Sequence, residues 1–343
     1  MIDVKVSIPG EDNNVSFDNF IDPKNKILEK VKFYINSDVP EADFWFVFED
    51  LYKKKEECLI NKNNIVYLNT ETSYPNSYFL NKHLQEYLDQ FKFKYGCYET
   101  FSDNYTNTIP FLPWMINYNS DSTIFSKSGK SVEELRNINE FKKSKKISII
   151  CSNKQITDNH IMRYEFSKKL KDYFGSELDW YGNGENSIKH KWEGIKDYKY
   201  HIVIENGQKN NLISEKLFDS YLGLSFPIYF GAPNASNYFP KDSFETIDLN
   251  NFKESVDIIE NIINNNTYEN NFEILQKSRA LVLGEYNFLN RLIDIIEHPD
   301  KRVEESKKEK IVLKSVNEFW KKNTSIRRRV KYNFSRKLRL TTY

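Results

Sequence analysis

Residues 200–248 constrain the fold more than any other part of the chain, because they read in order as strand, polar loop, helix, strand and glycine turn. The first strand, residues 200–204, is rich in β-branched and aromatic side chains, and the second covers residues 226–230. Ser214 is placed to cap the helix between them, and Gly231 begins the final turn. This order predicts an α/β fold with a ligand site at the carboxyl edge of a parallel sheet.

Charged and polar residues cluster where this segment places that edge. Glu205 and Asn206 follow the first strand, and Gly207 is a residue that permits unusual backbone angles in the loop. Glu215 and Lys216 fall on the first turn of the helix, beside free backbone N–H groups and the positive end of the helix dipole. Such a place stabilises an anionic diphosphate, so the segment predicts a phosphate site.

This segment resembles the donor-binding signature of the family 10 fucosyltransferases. The signature has Glu-Asn-Ser, a short loop, Thr-Glu-Lys, a Pro-Ile/Val turn ending in Gly-x-Pro, and a later Ser-Phe. The matching residues here are Glu205-Asn206, Glu215-Lys216, residues 227–233 and Ser243-Phe244. Two positions differ, since Gly207 replaces the serine and Leu212 replaces an aromatic residue that precedes Glu-Lys. These differences leave open whether the donor sugar is fucose or that of another GDP-sugar.

The resemblance implies a GT-B fold, with two Rossmann-like domains and the substrate cleft between them. It also implies roles for individual residues. Lys216 and Arg163 would contact the donor diphosphate, and Arg163 offers a planar, permanently charged group suited to phosphate oxygens. Glu215 would accept hydrogen bonds from ribose hydroxyls. Glu205 and Asn206 would shape the cleft near the fucose. The alternative for each residue is an ordinary place on a solvated helix or loop.

A catalytic base is expected in the N-terminal half. Bacterial members of the family carry a glutamate after a strand, in a segment like Gly-Glu-Asn-Glu-Ser-Pro. Here residues 69–75 include Glu71, which keeps the first glutamate's offset from the proline, Pro75, while Ser73 occupies the position of the second. Glu71 is therefore predicted to be the general base that deprotonates the acceptor hydroxyl. Its alternative is a solvated loop glutamate.

The sequence gives no sign of a metal site. Many sugar transferases hold a metal with an Asp-x-Asp motif, and none occurs in the chain. The five histidines are scattered without metal-ligand spacing: His83, His160, His190, His201 and His298. We therefore expect no metal and no other cofactor, with cationic side chains and a helix N-terminus balancing the diphosphate charge.

Three regions are expected: residues 1–140 as an acceptor-side Rossmann-like domain, residues 141–300 as a GDP-sugar-binding domain, and residues 301–343 as a basic tail. Residues 127–146 are interpreted as the connection between the two domains. Strands and helices alternate through both domains, which favours parallel sheets. The predicted strands are residues 4–8, 44–48, 65–68 and 146–151, and the predicted helices are residues 81–91, 161–173, 252–263 and 272–296.

The tail differs in composition from the body. Residues 301–343 contain 15 Lys or Arg and 4 Asp or Glu, whereas the whole chain has a net charge of +1. Ile326, Val330, Phe334 and Leu338 recur every four residues among basic side chains. A cationic amphipathic helix of this type can lie on an anionic membrane surface, which is predicted for residues 319–340. The alternatives are a disordered basic end and a helix docked on the acidic body. Nucleic acid is not expected as a partner, because no recognised module accompanies the charge.

Location follows from what the sequence lacks. The N-terminus has no basic stretch followed by an apolar run, no apolar run approaches 18 residues, and the three cysteines are far apart. We expect a cytoplasmic protein, peripheral on the inner membrane face.

The resulting prediction is an inverting, metal-independent enzyme. It would move L-fucose from GDP-β-L-fucose to a GlcNAc or glucose hydroxyl, in α-1,3 linkage, within a glycan such as N-acetyllactosamine or a lipopolysaccharide. The alternatives are transfer of another sugar from its GDP donor and a non-catalytic, glycan-binding protein at a membrane surface.

Overall fold

The computed structural model describes residues 1–10, 15–70, 82–97, 104–116, 129–298 and 307–323. These residues divide into two compact units, and neither unit is a single stretch of chain. The first unit contains the described parts of Met1–Val15, Ile27–Asn107 and Ile296–Tyr343. The second contains Ser16–Lys26 and the described parts of Thr108–Ile295.

This division differs from the predicted boundaries at residues 140 and 300. Residues 108–116 and 129–140, which include much of the expected connection, lie in the second unit, and residues 307–323 lie in the first. Hydrogen bonds account for part of the difference, because the Met115 N–H donates to Asp219 and Arg136 forms a bidentate ion pair with Asp22. Asp22 belongs to the short N-terminal segment of the second unit.

The first unit is built on a parallel sheet. Its elements up to residue 107 are β1 (Ile2–Ser7), β2 (Val31–Ile35), β3 (Phe44–Phe48), β4 (Lys55–Ile60), β5 (Ile65–Leu68), α1 (Lys82–Leu88), β6 (Phe93–Gly96) and β7 (Tyr105–Asn107). Six of the strands pair in the order β2-β1-β3-β5-β6-β7, and every pairing is parallel. The strands β3 and β5 are nearly all apolar and buried, as strands covered on both faces are.

The second unit has the same plan. Its elements are α2 (Val132–Asn137), β8 (Lys145–Ile150), α3 (Asp158–Phe174), β9 (Leu178–Tyr181), β10 (Tyr198–Ile204), α4 (Glu215–Leu222), β11 (Phe226–Phe230), β12 (Glu245–Thr246), α5 (Phe252–Asn264), α6 (Thr267–Asn270), α7 (Phe272–Leu283) and α8 (Phe288–Glu297). The strands pair in the order β12-β11-β10-β8-β9, again all parallel. Two α/β units with parallel sheets confirm the predicted fold class, and the cleft between them stays a prediction.

The prediction of a single helix over residues 272–296 is wrong, because the helix ends at Leu283 and a second helix follows. Gly284 ends α7, and its backbone N–H still bonds to Ala280. Asn287 directly precedes α8, and its side-chain oxygen accepts from the Leu289 N–H at 2.9 Å. The Asn287 amide also donates to the Phe20 carbonyl at 2.8 Å. A glycine stop and an asparagine cap therefore divide an apolar pattern that reads as continuous.

The end of the described chain completes the first unit. Strand β13 (Glu309–Lys314) pairs antiparallel with β4, and helix α9 (Val316–Asn323) follows it. The ring of Phe319 lies edge-on to Tyr87 of α1, with 6.0 Å between centroids. Residues 307–323 are thus a packed part of this unit, which corrects the prediction of a tail that begins at residue 301. The helix predicted over residues 326–338 lies outside the described residues, as does most of the segment 319–340 that is predicted to contact a membrane.

Within the described parts of the chain, none of the helices has the length and apolar character needed to cross a membrane.

Candidate functional site

The candidate site begins where β10 ends. Glu205 follows the last residue of this strand, and its backbone N–H continues the ladder by donating to the Phe230 carbonyl at 2.8 Å. The residue is only 1% exposed. The carboxylate accepts from the Ser214 N–H at 2.7 Å and from the Ser214 hydroxyl at 2.6 Å. Glu205 therefore ties the N-terminus of α4 to the carboxyl edge of the sheet.

Helix α4 starts and ends as the sequence predicts. Ser214 is the N-cap, and its hydroxyl oxygen accepts from the Lys216 N–H, while Gly223 is the C-cap. The Lys216 ammonium lies 2.9 Å from the Ser214 hydroxyl, 3.3 Å from Glu205 Oε2 and 3.4 Å from Glu215 Oε1. Its side chain is 22% exposed. A cation held at a helix N-terminus, with part of its surface reachable, is suited to an anionic ligand.

A second lysine reaches the same carboxylate from outside the helix. Lys191 lies in a short 3-10 turn, Lys191–Gly194, and its ammonium is 3.3 Å from Glu215 Oε1 and 3.1 Å from Asp219 Oδ2. Asp219 is one turn further along α4 and is 1% exposed. Its other oxygen accepts from the Met115 N–H at 2.8 Å. Glu215 is thus flanked by two ammonium groups.

The protonation of these groups follows from burial and charge. Burial alone would raise the pKa of Glu215, but the charges of Lys216 and Lys191 outweigh it and lower that pKa. Burial raises the pKa of Asp219 to about 6, despite the opposing charge of Lys191, and the negative charge of Glu215 adds to the rise. Burial would lower the pKa of Lys191, but Asp219 and Glu215 raise it. Glu215 and Lys191 are therefore an ion pair at neutral pH.

Arg163 supplies a further cation from α3. It is 7% exposed, and one terminal nitrogen donates to the Asn206 side-chain oxygen at 2.7 Å. Its Nε is buried and has no hydrogen-bond partner among the described residues. A buried unsatisfied donor is costly, so it is a feature that calls for an explanation. A ligand oxygen would satisfy it.

The loop between β10 and α4 is fixed by polar contacts. Asn211 adopts a left-handed backbone angle, with φ of 65°. Its side-chain oxygen accepts from Asn234 at 2.7 Å and from the Tyr238 hydroxyl at 2.6 Å. Its backbone N–H donates to the Asn234 side-chain oxygen at 2.8 Å. The loop is thereby attached to the turn that follows β11.

The two residues that depart from the family signature, Gly207 and Leu212, lie in ordinary structural positions. Gly207 is not in the left-handed region, so the prediction that it provides unusual backbone angles is wrong. A Cβ there would meet Asn159 at 3.4 Å and Leu212 at 3.6 Å, which is ordinary contact. Leu212 is 1% exposed, so its side chain belongs to the core.

The structure brings the predicted donor residues together in three contacts, which form two groups. Arg163 meets Asn206, and Lys216 meets both Glu205 and Glu215. Lys191 and Asp219 were not predicted as site residues. Asp219 had a detectable signal, because it lies four residues after Glu215 and so shares its helix face. Lys191 had no such signal, since its contact depends on tertiary structure.

The remaining predictions about the site concern the base and the metal. Glu71, the predicted general base, lies outside the described residues. Across the ranges that the structure describes, no group of three or more His, Cys, Asp or Glu side chains is arranged to hold a metal ion.

Comparison with known proteins gives one family match. Residues 140–283 match the model of the glycosyltransferase family 10 (fucosyltransferase) C-terminal region. This stretch contains β8 to α7, including all the described residues of the candidate site, and confirms the resemblance predicted from the sequence. The alpha-(1,3)-fucosyltransferase FucT of Helicobacter pylori is 35% identical over 74 residues, which are 21% of this chain. The aligned part covers only 16% of that relative's length.

Solved structures give more distant likenesses. A crystal structure of alpha1,3-fucosyltransferase with GDP shares 19% identity, with a TM-score of 0.49, over 79% of this chain and 81% of the other. One with GDP-fucose shares 20% identity, with a TM-score of 0.46, over the same shares of both chains. Likenesses at this level do not identify an activity.

Proposed function

We propose, from the premise that residues 140–283 form a glycosyltransferase family 10 domain, that this protein transfers L-fucose from GDP-β-L-fucose to a glycan. The observation that carries the proposal is the cation-lined start of α4, inside the matched region. There Lys216 lies at a capped helix N-terminus, and Arg163 holds a buried donor without a partner among the described residues. Both features suit the diphosphate of a nucleotide sugar.

The charge balance at the site supports a diphosphate. Lys216 and Lys191 are paired with carboxylates, whereas the Arg163 guanidinium, within the part of the chain that the structure describes, donates to the neutral amide of Asn206. The guanidinium therefore has charge to offer to phosphate oxygens. In our proposal Arg163 and Lys216 neutralise the departing GDP without a metal, and Glu215 accepts from the ribose hydroxyls. Glu205 and Asn206 hold Lys216 and Arg163 in place beside the fucose.

The proposed reaction is an inverting displacement. An acceptor hydroxyl of GlcNAc or glucose attacks the anomeric carbon of fucose as Glu71 takes its proton. The new bond joins the acceptor oxygen to that carbon, and the bond from the carbon to the diphosphate oxygen breaks. GDP leaves with the electron pair, where cationic side chains and the helix N-terminus stabilise its charge. The product carries an α-1,3 linkage.

A transfer assay tests this proposal. The intact protein is incubated with a panel of GDP-sugars and N-acetyllactosamine, with EDTA present, beside Glu71→Gln. We expect fucose transfer and GDP release unaffected by EDTA, and a loss of kcat on the order of 10²- to 10⁴-fold in Glu71→Gln. An activity that EDTA abolishes would contradict the metal-independent mechanism, and an unchanged kcat in the variant would remove Glu71 as the base.

The second candidate is transfer from a different GDP-sugar, which Leu212 and Gly207 favour because they depart from the family signature. Transfer of another sugar, without fucose transfer, would support it. GDP binding without release of GDP from any sugar donor would instead indicate a non-catalytic glycan-binding protein.

The acceptor and the location complete the proposal. We propose a glycan acceptor, as part of lipopolysaccharide or another surface glycan, and a cytoplasmic enzyme that contacts the anionic inner membrane face through the part of the predicted segment 319–340 that follows α9. Sedimentation with vesicles of anionic and of neutral lipids tests the contact. Equal binding to both would contradict it.

A further inference from the structure

Lys191 joins two carboxylates of α4 that lie one helical turn apart. Its ammonium is 3.3 Å from Glu215 Oε1 and 3.1 Å from Asp219 Oδ2. The side chain is 21% exposed, whereas those of Glu215 and Asp219 are 11% and 1% exposed. An ion pair this far from solvent is only weakly screened, so it restricts both partners.

Asp219 anchors Lys191 rather than facing a ligand. Its Oδ1 accepts from the Met115 N–H at 2.8 Å, and its Oδ2 accepts from Lys191. The turn that carries Lys191 is attached to the same stretch of chain, because the Trp192 N–H donates to the Ile116 carbonyl at 3.0 Å. Lys191 is thus fixed at its backbone and at its ammonium group.

The position of Lys191 fixes the orientation of the Glu215 carboxylate. One of its oxygens, Oε1, is shared between Lys191 at 3.3 Å and Lys216 at 3.4 Å. Two cations on one oxygen fix the plane of the carboxylate. Without Lys191, Lys216 would be the remaining cation of this pair on the oxygen, and Lys216 is also bonded to Glu205 and Ser214.

We propose that Lys191 is a positioning residue for nucleoside recognition, which fixes the Glu215 carboxylate so that it accepts hydrogen bonds from the ribose hydroxyls of the donor. This inference rests on the proposed function, because the ribose role of Glu215 is part of it. Lys191 acts through Glu215, so its effect depends on the ribose hydroxyls rather than on the diphosphate.

Calorimetry with two nucleotides tests this dependence. GDP and 2′,3′-dideoxy-GDP are titrated into the intact protein and into Lys191→Met, which keeps an unbranched side chain, one atom shorter, and removes its charge. We expect Lys191→Met to weaken GDP binding about tenfold, equivalent to about 1.4 kcal/mol, and to change dideoxy-GDP binding less than about twofold. Lys191→Arg retains a cation and is expected to recover most of the GDP affinity. Lys189→Met is the matched control, since Lys189 is exposed two residues away.

The outcomes separate the inference from the function on which it rests. Equal losses for both nucleotides would overturn the positioning role, because Lys191 would then act on the phosphates or on the fold. Failure of the unaltered protein to bind either nucleotide would instead contradict the proposed function. If Lys191→Met does not fold, Asp219→Asn takes its place. That variant loosens Lys191 and is expected to weaken GDP binding in preference to dideoxy-GDP binding, whereas equal losses would again overturn the role.

Discussion

The carboxylate of Glu205 accepts both hydrogen bonds that Ser214 can donate, one from the backbone N–H at 2.7 Å and one from the hydroxyl at 2.6 Å. The cap of α4 is therefore itself held by the end of β10. Because Ser214 Oγ also accepts from the Lys216 N–H and lies 2.9 Å from its ammonium, the position of Lys216 depends on the same contact.

Glu205→Gln is expected to destabilise the fold and weaken GDP binding. Glu205 now accepts hydrogen bonds from the N–H and the hydroxyl of Ser214. A glutamine would place its amide N–H₂ group against at least one of these donors, so a buried polar group would lose its partner. We expect a loss of about 2 kcal/mol in the free energy of unfolding, measured by urea denaturation. Glu165→Gln, at an exposed position of α3, is the control. Equal stability of the two variants would show that the contact with Ser214 contributes little.

Arg163→Met is expected to weaken GDP binding measured in the absence of metal ions. The substitution removes the guanidinium whose Nε is buried without a partner in the described part of the chain. Calorimetry in EDTA should show a loss of about 10- to 100-fold in affinity, the range for hydrogen bonds to charged groups. Arg163→Lys should recover little, because an ammonium lacks the planar fork. Lys169→Met, on the exposed face of α3, should leave the affinity unchanged. Unaltered GDP affinity in Arg163→Met would exclude this arginine from the phosphate site.

Gly231→Ala is expected to disrupt the turn after β11. A Cβ at this position would collide with the ring end of Tyr229 and would lie 2.7 Å from Glu205 Cγ. Tyr229 is fully buried, and its hydroxyl oxygen accepts from the Ala232 N–H at 2.9 Å, so the ring has no room to move. We expect thermal unfolding to show a loss of about 1–3 kcal/mol. Gly207→Ala is the matched control, since ordinary space surrounds it. A larger loss in Gly207→Ala would contradict this account of the two glycines.

His201 predicts a dependence of stability on pH. Burial, together with the charges of Lys191 and Lys143, lowers the pKa of His201 to about 3. Between pH 3 and 6.5 the unfolded chain therefore binds a proton here that the folded chain does not. The free energy of unfolding gains a contribution from this histidine as pH rises through that window. His201→Gln keeps a partner for Ser148, which lies 2.8 Å from Nδ1, and should have a shallower slope of stability against pH. Identical slopes would mean that the residue is not held neutral.

The segment that identified the site was predictable because its signals are local. The strand β10, the Ser214 cap, the end of α4 before Gly223 and the strand β11 each depend on residues within a few positions. The contact between Lys191 and Asp219 could not be predicted in the same way, because it joins residues 28 positions apart. The interruption between α7 and α8 had local signals in Gly284 and Asn287, which the continuous apolar pattern obscured.

The division into units was harder to predict, since the chain returns to each unit after leaving it. Strand β13 is the clearest case. Its sequence is charged at both ends, and only its partner β4, more than 240 residues earlier, makes it a strand. From charge composition alone, β13 was predicted to belong to a basic tail.

The pairing of β13 with β4 determines how the C-terminal region must be studied. Shortening the chain at residue 300 would remove a strand and a helix along with the positive charge. It would also leave β4 without the partner strand β13 and expose the apolar core residues that Leu313 and Val316 now cover. A truncated protein that aggregates or loses activity would thus report on folding rather than on lipid contact. Neutral substitutions confined to residues 324–343 would test the contribution of positive charge to lipid contact while leaving β13 and α9 in place.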